Sequence, residues 1–203
     1  MAIKTVATNP HWNYFIALEH DLETLSRYVE FNEQNFQTYS IELAHLLLTA
    51  ASEVDVLAKR VCSFFTRKPR SNIYQFQETI TDEHNLPGIS TMQVFVPRCG
   101  LILIPWSNWA KAKNPPDWWH SYNNVKHKRN QHFDEATLKN ALNAMGALLI
   151  MNFHYLSLSI SSRPPPSPEA VTGQFKPDST LLRLPSEYYG VQGYLDNLVQ
   201  AGL

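Results

Sequence analysis

The sequence predicts a mainly α fold: an up-and-down bundle of four or more helices, a small inserted β-hairpin at about 91–104, and an extended Pro-rich C-terminal arm. Three observations predict it. Apolar residues recur at three- and four-residue steps along three long segments. Two β-prone runs flank Pro97-Arg98-Cys99-Gly100. Pro164-Pro165-Pro166 and Pro168 follow the last helical segment. The chain therefore divides into a helical domain over 1–160, with the hairpin inserted at about 88–105, and a Pro-rich arm and tail over 161–203 expected to pack on the domain or on a partner.

The first helix is expected from about 10 to 32, with Trp12, Phe15, Ile16, Leu22, Leu25 and Val29 as its apolar stripe. Asn9 suits its cap and Pro10 its first turn. The second is expected from about 35 to 65, where Leu43, Leu47, Ala50, Val54, Leu57, Val61 and Phe64 share a face. A polar stripe of Glu42, His45, Thr49, Ser52 and Arg60 runs opposite, with Glu53 at its border. A short helix over 72–83 ends before Pro87-Gly88. Residues 91–96 and 101–104 read as a hairpin or as one buried extended segment, since the second run does not alternate. Asn114-Pro115-Pro116-Asp117 introduces another short helix. Asp134 is the expected cap of the third long helix, which runs to about 159 and is apolar on most sides, as a central helix must be. After the proline run, Thr180 to Leu184 resumes apolar character, and a short helix is expected within 185–201.

At 203 residues and 44% apolar composition, the chain is long enough to bury a sizeable core. Its formal charge is −1, from 17 basic and 18 acidic residues, which argues against a uniformly basic, nucleic-acid-coating surface and leaves room for a local patch. Cys62 and Cys99 lack close metal or redox spacing, and two thiols suit a reducing compartment. Residues 1–12 hold no signal-like apolar run, and the apolar region 141–160 is broken by Asn143, Asn152, His154, Ser157 and Ser159. A cytoplasmic protein without membrane association is expected.

Such a patch sits at 118–132, where Trp118, Trp119, Tyr122, His120, His127, His132, Lys126, Lys128 and Arg129 crowd together. On a helix, Trp118, Tyr122 and Val125 share an anchoring face, and His120, Asn124 and His127 share another. Lys128 and Arg129 also suit a helix end, where cations complement the dipole. Glu53 borders a buried face and needs a partner. The candidates are Lys126, His127 or Arg129 across the fold, or Lys59 and Arg60 along its own helix. No metal or cofactor is expected: the histidines lack carboxylate spacing, and no glycine-rich phosphate loop exists.

Glu53-Val54-Asp55-Val56-Leu57-Ala58-Lys59 on a long helix, followed later by Tyr122-Asn123-Asn124-Val125-Lys126-His127-Lys128-Arg129 and a long apolar helix, resembles the HEPN superfamily. The likeness is to its divergent bacterial branches with an Asn-x-x-Lys-His element and covers about 10–160. It implies a helical bundle that forms a homodimer, and a metal-independent ribonuclease or an RNA- or nucleotide-binding protein of a bacterial defence or toxin system. The catalytic pattern of that superfamily places a His four to six positions beyond an Arg. Here only two residues separate Arg129 from His132, and five separate Lys126 from His132. On this resemblance His127 or His132 serves as acid or base, Arg129 and Lys126 contact phosphate, and Asn124, His120, Lys128 and Glu53 line the substrate side.

Two other readings compete. In a binding module without catalysis, Trp106, Trp109, Trp118 and Trp119 stack bases, unless they are core. In a protein-interaction or regulatory subunit, the hairpin and the Arg163–Pro166 arm contact a protein partner.

Overall fold

A computed structural model describes residues 9–160 and 165–189. The fold is mainly α with one small antiparallel hairpin. Helix α1 spans Pro10–Leu25, with the Asn9 side chain accepting from the Trp12 N–H at 3.2 Å. It stops well short of residue 32. Its end tightens into turns over 25–29, and Asn32 then caps a single 3₁₀ turn at Glu33–Asn35.

Helix α2 spans Ile41–Phe65 and begins at a Ser40 cap, six residues later than the apolar pattern suggests. The reason is that 36–39 is committed elsewhere. Thr38 and Phe36 carbonyls accept from the Leu138 and Lys139 N–H groups, at 2.8 and 3.1 Å, and Tyr39 bridges Thr137. Extended chain thus satisfies the orphan donors at the start of another helix, α5 (Leu138–Ser159). The side-chain cap of α5 is Thr137, not Asp134, which lies in a 3₁₀ turn at Phe133–Glu135.

Helix α3 spans Ile73–Ile80 behind an Asn72 cap. Strands β1 (Val94–Val96) and β2 (Leu101–Leu103) pair antiparallel with Val94 opposite Leu103, so the hairpin reading holds over the single extended segment. Gly100 takes φ +64° at the turn, a conformation that glycine adopts without strain. Helix α4 spans Asp117–His132, and a short α6 spans Pro168–Thr172.

Helices α2 and α5 pack most extensively and carry the core, with Leu43, Leu47, Val54, Leu57, Leu142, Met145 and Leu149 excluded from solvent. Phe64 is the exception on the α2 stripe; it is exposed and leans towards Tyr155. Helix α5 is long and apolar enough to cross a membrane, but 67% of that window is enclosed by the rest of the fold. The hairpin sits against α5 at Gly146, where a Cβ would meet Pro105 at 3.0 Å and Val94 at 3.5 Å.

Residues 165–189 pack on the domain. Phe175 stacks on Trp12 with ring centres 4.0 Å apart, and the Trp12 indole donates to the Pro177 carbonyl at 2.9 Å. Phe95 and Arg183 exchange backbone hydrogen bonds, which adds a third rung beside β1. At the start of the helix expected within 185–201 there is a 3₁₀ turn at Ser186–Tyr188. Its remainder, and residues 161–164 of the proline run, lie outside the described residues.

Candidate functional site

The buried side of α4 is aromatic. Trp118, Tyr122 and Val125 are buried, as their spacing predicts, and Trp119 joins them. The Trp118 indole donates to the Pro105 carbonyl at 2.8 Å. Trp106 packs on Trp109 at 4.2 Å and edge-on to Trp118 at 5.3 Å. All four tryptophans are core residues, so the expected base-stacking platform is not formed.

The helix does not run straight to His132. Lys128 has φ −141° and ψ 41°, which breaks the periodicity and turns the last residues. On an uninterrupted helix Asn124 and His132, eight residues apart, would point about 80° away from each other. The break and the 3₁₀ turn that follows bring both to one carboxylate, Glu135. His132 Nδ1 lies 2.8 Å from Glu135 Oε1. The Asn124 amide donates to both Glu135 oxygens, at 3.1 and 3.0 Å.

Asn140 supports the arrangement from α5, donating to the Glu135 carbonyl at 2.9 Å and to the Ser121 hydroxyl at 3.0 Å. Burial alone would raise the Glu135 carboxyl, but hydrogen bonds from Asn124, His132 and Ser121 outweigh it and hold the group below its ordinary value. An ionised carboxylate only accepts, so His132 Nδ1 is the donor in this contact and Nε2 is the ring nitrogen that Glu135 does not engage. The His132 side chain is 34% exposed and reachable from solvent.

Cationic residues lie close in sequence to this pair. Arg129 precedes His132 by one turn, and Arg129, Lys128, His127 and His120 are exposed, with no hydrogen bond or ion pair among the described residues. Lys126 donates to the Tyr122 hydroxyl at 2.9 Å, with its ammonium 5.1 Å from the ring centre. That hydroxyl, through the bond and its charge, pushes the Lys126 ammonium upward, and Asp55 adds to the effect, so Lys126 remains cationic at neutral pH.

Asn124, Lys126 and His127, adjacent in sequence, therefore have three different fates: Asn124 in the carboxylate network, Lys126 on Tyr122, and His127 in solvent. Glu53 is absent from the cluster. Its carboxylate takes His11 Nδ1 of α1 at 2.5 Å, a partner outside every pairing considered for it, while Asp55 takes Lys59 along α2. Sequence reasoning missed Glu135. Its position three residues after His132 is the only signal, and the pairing depends on the turn at Phe133–Glu135.

Among the described residues no group of three or more His, Cys, Asp or Glu side chains could hold a metal ion. Cys62 and Cys99 are both free thiols, and burial pushes Cys62 up to about 11. Comparison with protein-family models, curated proteins and solved structures gave no match. The fold and site thus define the protein only as a mainly α domain that presents a carboxylate-oriented histidine within a cationic helix end.

Proposed function

We propose that the end of α4 binds single-stranded RNA and cleaves it without a metal, with His132 as the acid–base group. The observation that carries the reading is the Asn124–Glu135–His132 chain, which orients one imidazole on a helix end that also carries Lys128 and Arg129. The resemblance to the HEPN superfamily, which shares Asn124 with this chain, also favours it.

In this scheme His132 Nε2 takes the ribose 2′-hydroxyl proton. The freed oxygen attacks the adjacent phosphorus, and the bond to the 5′-oxygen breaks as that oxygen gains a proton from solvent. The products are a 2′,3′-cyclic phosphate and a 5′-hydroxyl. Arg129 and Lys126 stabilise charge on the phosphoryl oxygens, and Lys128 and His120 extend the phosphate track. Glu135 stabilises the imidazolium that forms, and Asn124 holds Glu135.

The test is incubation of a labelled single-stranded RNA with the protein in excess EDTA. Cleavage to cyclic-phosphate ends is expected, and Glu135→Gln, which releases the tautomer, should slow it on the order of 100-fold or more. Salt-sensitive binding without any cleavage would sink the catalytic reading and leave an RNA-binding surface.

A further inference from the structure

A second surface is made by α1, the turn that ends it, and α2, and it shares no residue with the end of α4. The two helices pack together and leave between them an outer groove of about 420 Å³, which follows α2 for roughly two turns. Its floor is apolar, formed by the buried side chains of Leu18, Leu25 and Leu46. Tyr28, just past the C-terminal end of α1, also lines it and is 80% exposed, more than any other large hydrophobic side chain among the described residues. Ile41, one helical turn before the lining residue His45, is exposed as well. Large apolar side chains left in water around an apolar groove mark a surface that another molecule covers.

The polar groups of the groove, apart from Tyr28 and His45, are acceptors. Asp21 and Glu42 supply two carboxylates, and no Lys or Arg lines the groove or pairs with either among the described residues. The one charged neighbour of Glu42 is His45, at 3.8 Å. Thr24 and Thr49 give their hydroxyl protons to the His20 and His45 carbonyls of their own helices, at 3.0 and 2.6 Å, so what they offer a neighbour is lone pairs. An apolar floor among acceptors is complementary to apolar side chains flanked by Lys or Arg, which only donate.

We propose that this groove docks a basic amphipathic helix of a partner protein. The apolar face of that helix lies on Leu18, Leu25 and Leu46, and its Lys or Arg side chains meet Asp21 and Glu42. Lining positions recur at three- and four-residue steps on both sides of the groove, the spacing with which the ridges of a third helix interdigitate. The docking does not depend on RNA cleavage at α4.

The test is calorimetric titration of the full chain with an amphipathic peptide of leucine and lysine, about 12 residues long so that it spans three turns, and with the same peptide carrying glutamate in place of lysine. The lysine peptide is expected to bind with a micromolar Kd that weakens as salt is raised, and the glutamate peptide is expected not to bind. Asp21→Lys combined with Glu42→Lys should weaken the lysine peptide at least about tenfold, and Tyr28→Ala about tenfold, the scale of one lost aromatic anchor. Glu83→Lys, which reverses an exposed carboxylate outside the groove, should leave binding unchanged. All four positions are exposed, so the variants keep the fold. No binding of the lysine peptide up to about 1 mM would overturn the proposal. So would binding that survives the double charge reversal, equal binding of the glutamate peptide, or an equal loss in Glu83→Lys.

Discussion

At the scale of single residues, two histidines are set to opposite ends. His132 is partly exposed, and its Nδ1 is held by the Glu135 carboxylate. His154 on α5 has a buried Nε2 with no partner among the described residues, and burial pushes the imidazole down to about 4. The folded chain therefore resists a proton there that the unfolded chain accepts near 6.5. Stability from this group is complete above pH 6.5 and declines as pH falls towards 4, by ~2–3 kcal/mol across the window. His154→Leu should flatten that decline, so its urea midpoint should gain on the parent protein at pH 4.5 relative to pH 7.5. An identical difference at both pH values would show that His154 is not buried as a neutral ring. The neighbouring Asn in Lys126-His127's stretch shows what sequence can reveal at this scale. Asn124 stood out in the sequence as a candidate, while its partner Glu135 was hidden behind a turn.

At the scale of elements, periodicity located the helices and backbone commitments decided where they stop. The apolar stripe of α2 was readable from Leu43 to Val61, yet its start at Ile41 depends on 36–39 serving the first turn of α5. The hairpin was legible because a glycine that can take positive φ follows Pro97. The break at Lys128 was not, because no Pro or Gly marks it. That the arm packs on the domain or on a partner was expected from the sequence, but the residue that receives it was not legible. Glu19 of α1 is 2% exposed and accepts from the Thr180, Leu181 and Leu182 N–H groups at 3.1, 3.1 and 2.8 Å, and from the Ser179 hydroxyl at 2.5 Å. A carboxylate inside an apolar stripe gives no hint that backbone 160 residues away will meet it. Glu19→Ala leaves those donors unpaired and should cost ~3 kcal/mol or more in urea unfolding. A change below ~0.5 kcal/mol, the usual size for a neutral surface substitution, would mean the arm is held by its other contacts, the Trp12–Phe175 stack and the Phe95–Arg183 backbone pair.

At the scale of the whole molecule, a nearly neutral chain places Lys128 and Arg129 at one helix end, close in sequence to a histidine that a carboxylate orients. Neighbouring histidines in the sequence made His127 and His132 equivalent candidates; the fold separates them, because only His132 has an orienting partner. The most direct measurement is the rate of RNA cleavage by His132→Ala and His127→Ala side by side, in EDTA and low salt. Loss of the general base should lower the His132→Ala rate on the order of 100-fold or more, and His127→Ala should stay within a few-fold of the parent protein. Cleavage that survives His132→Ala, or that fails only in His127→Ala, would contradict the account.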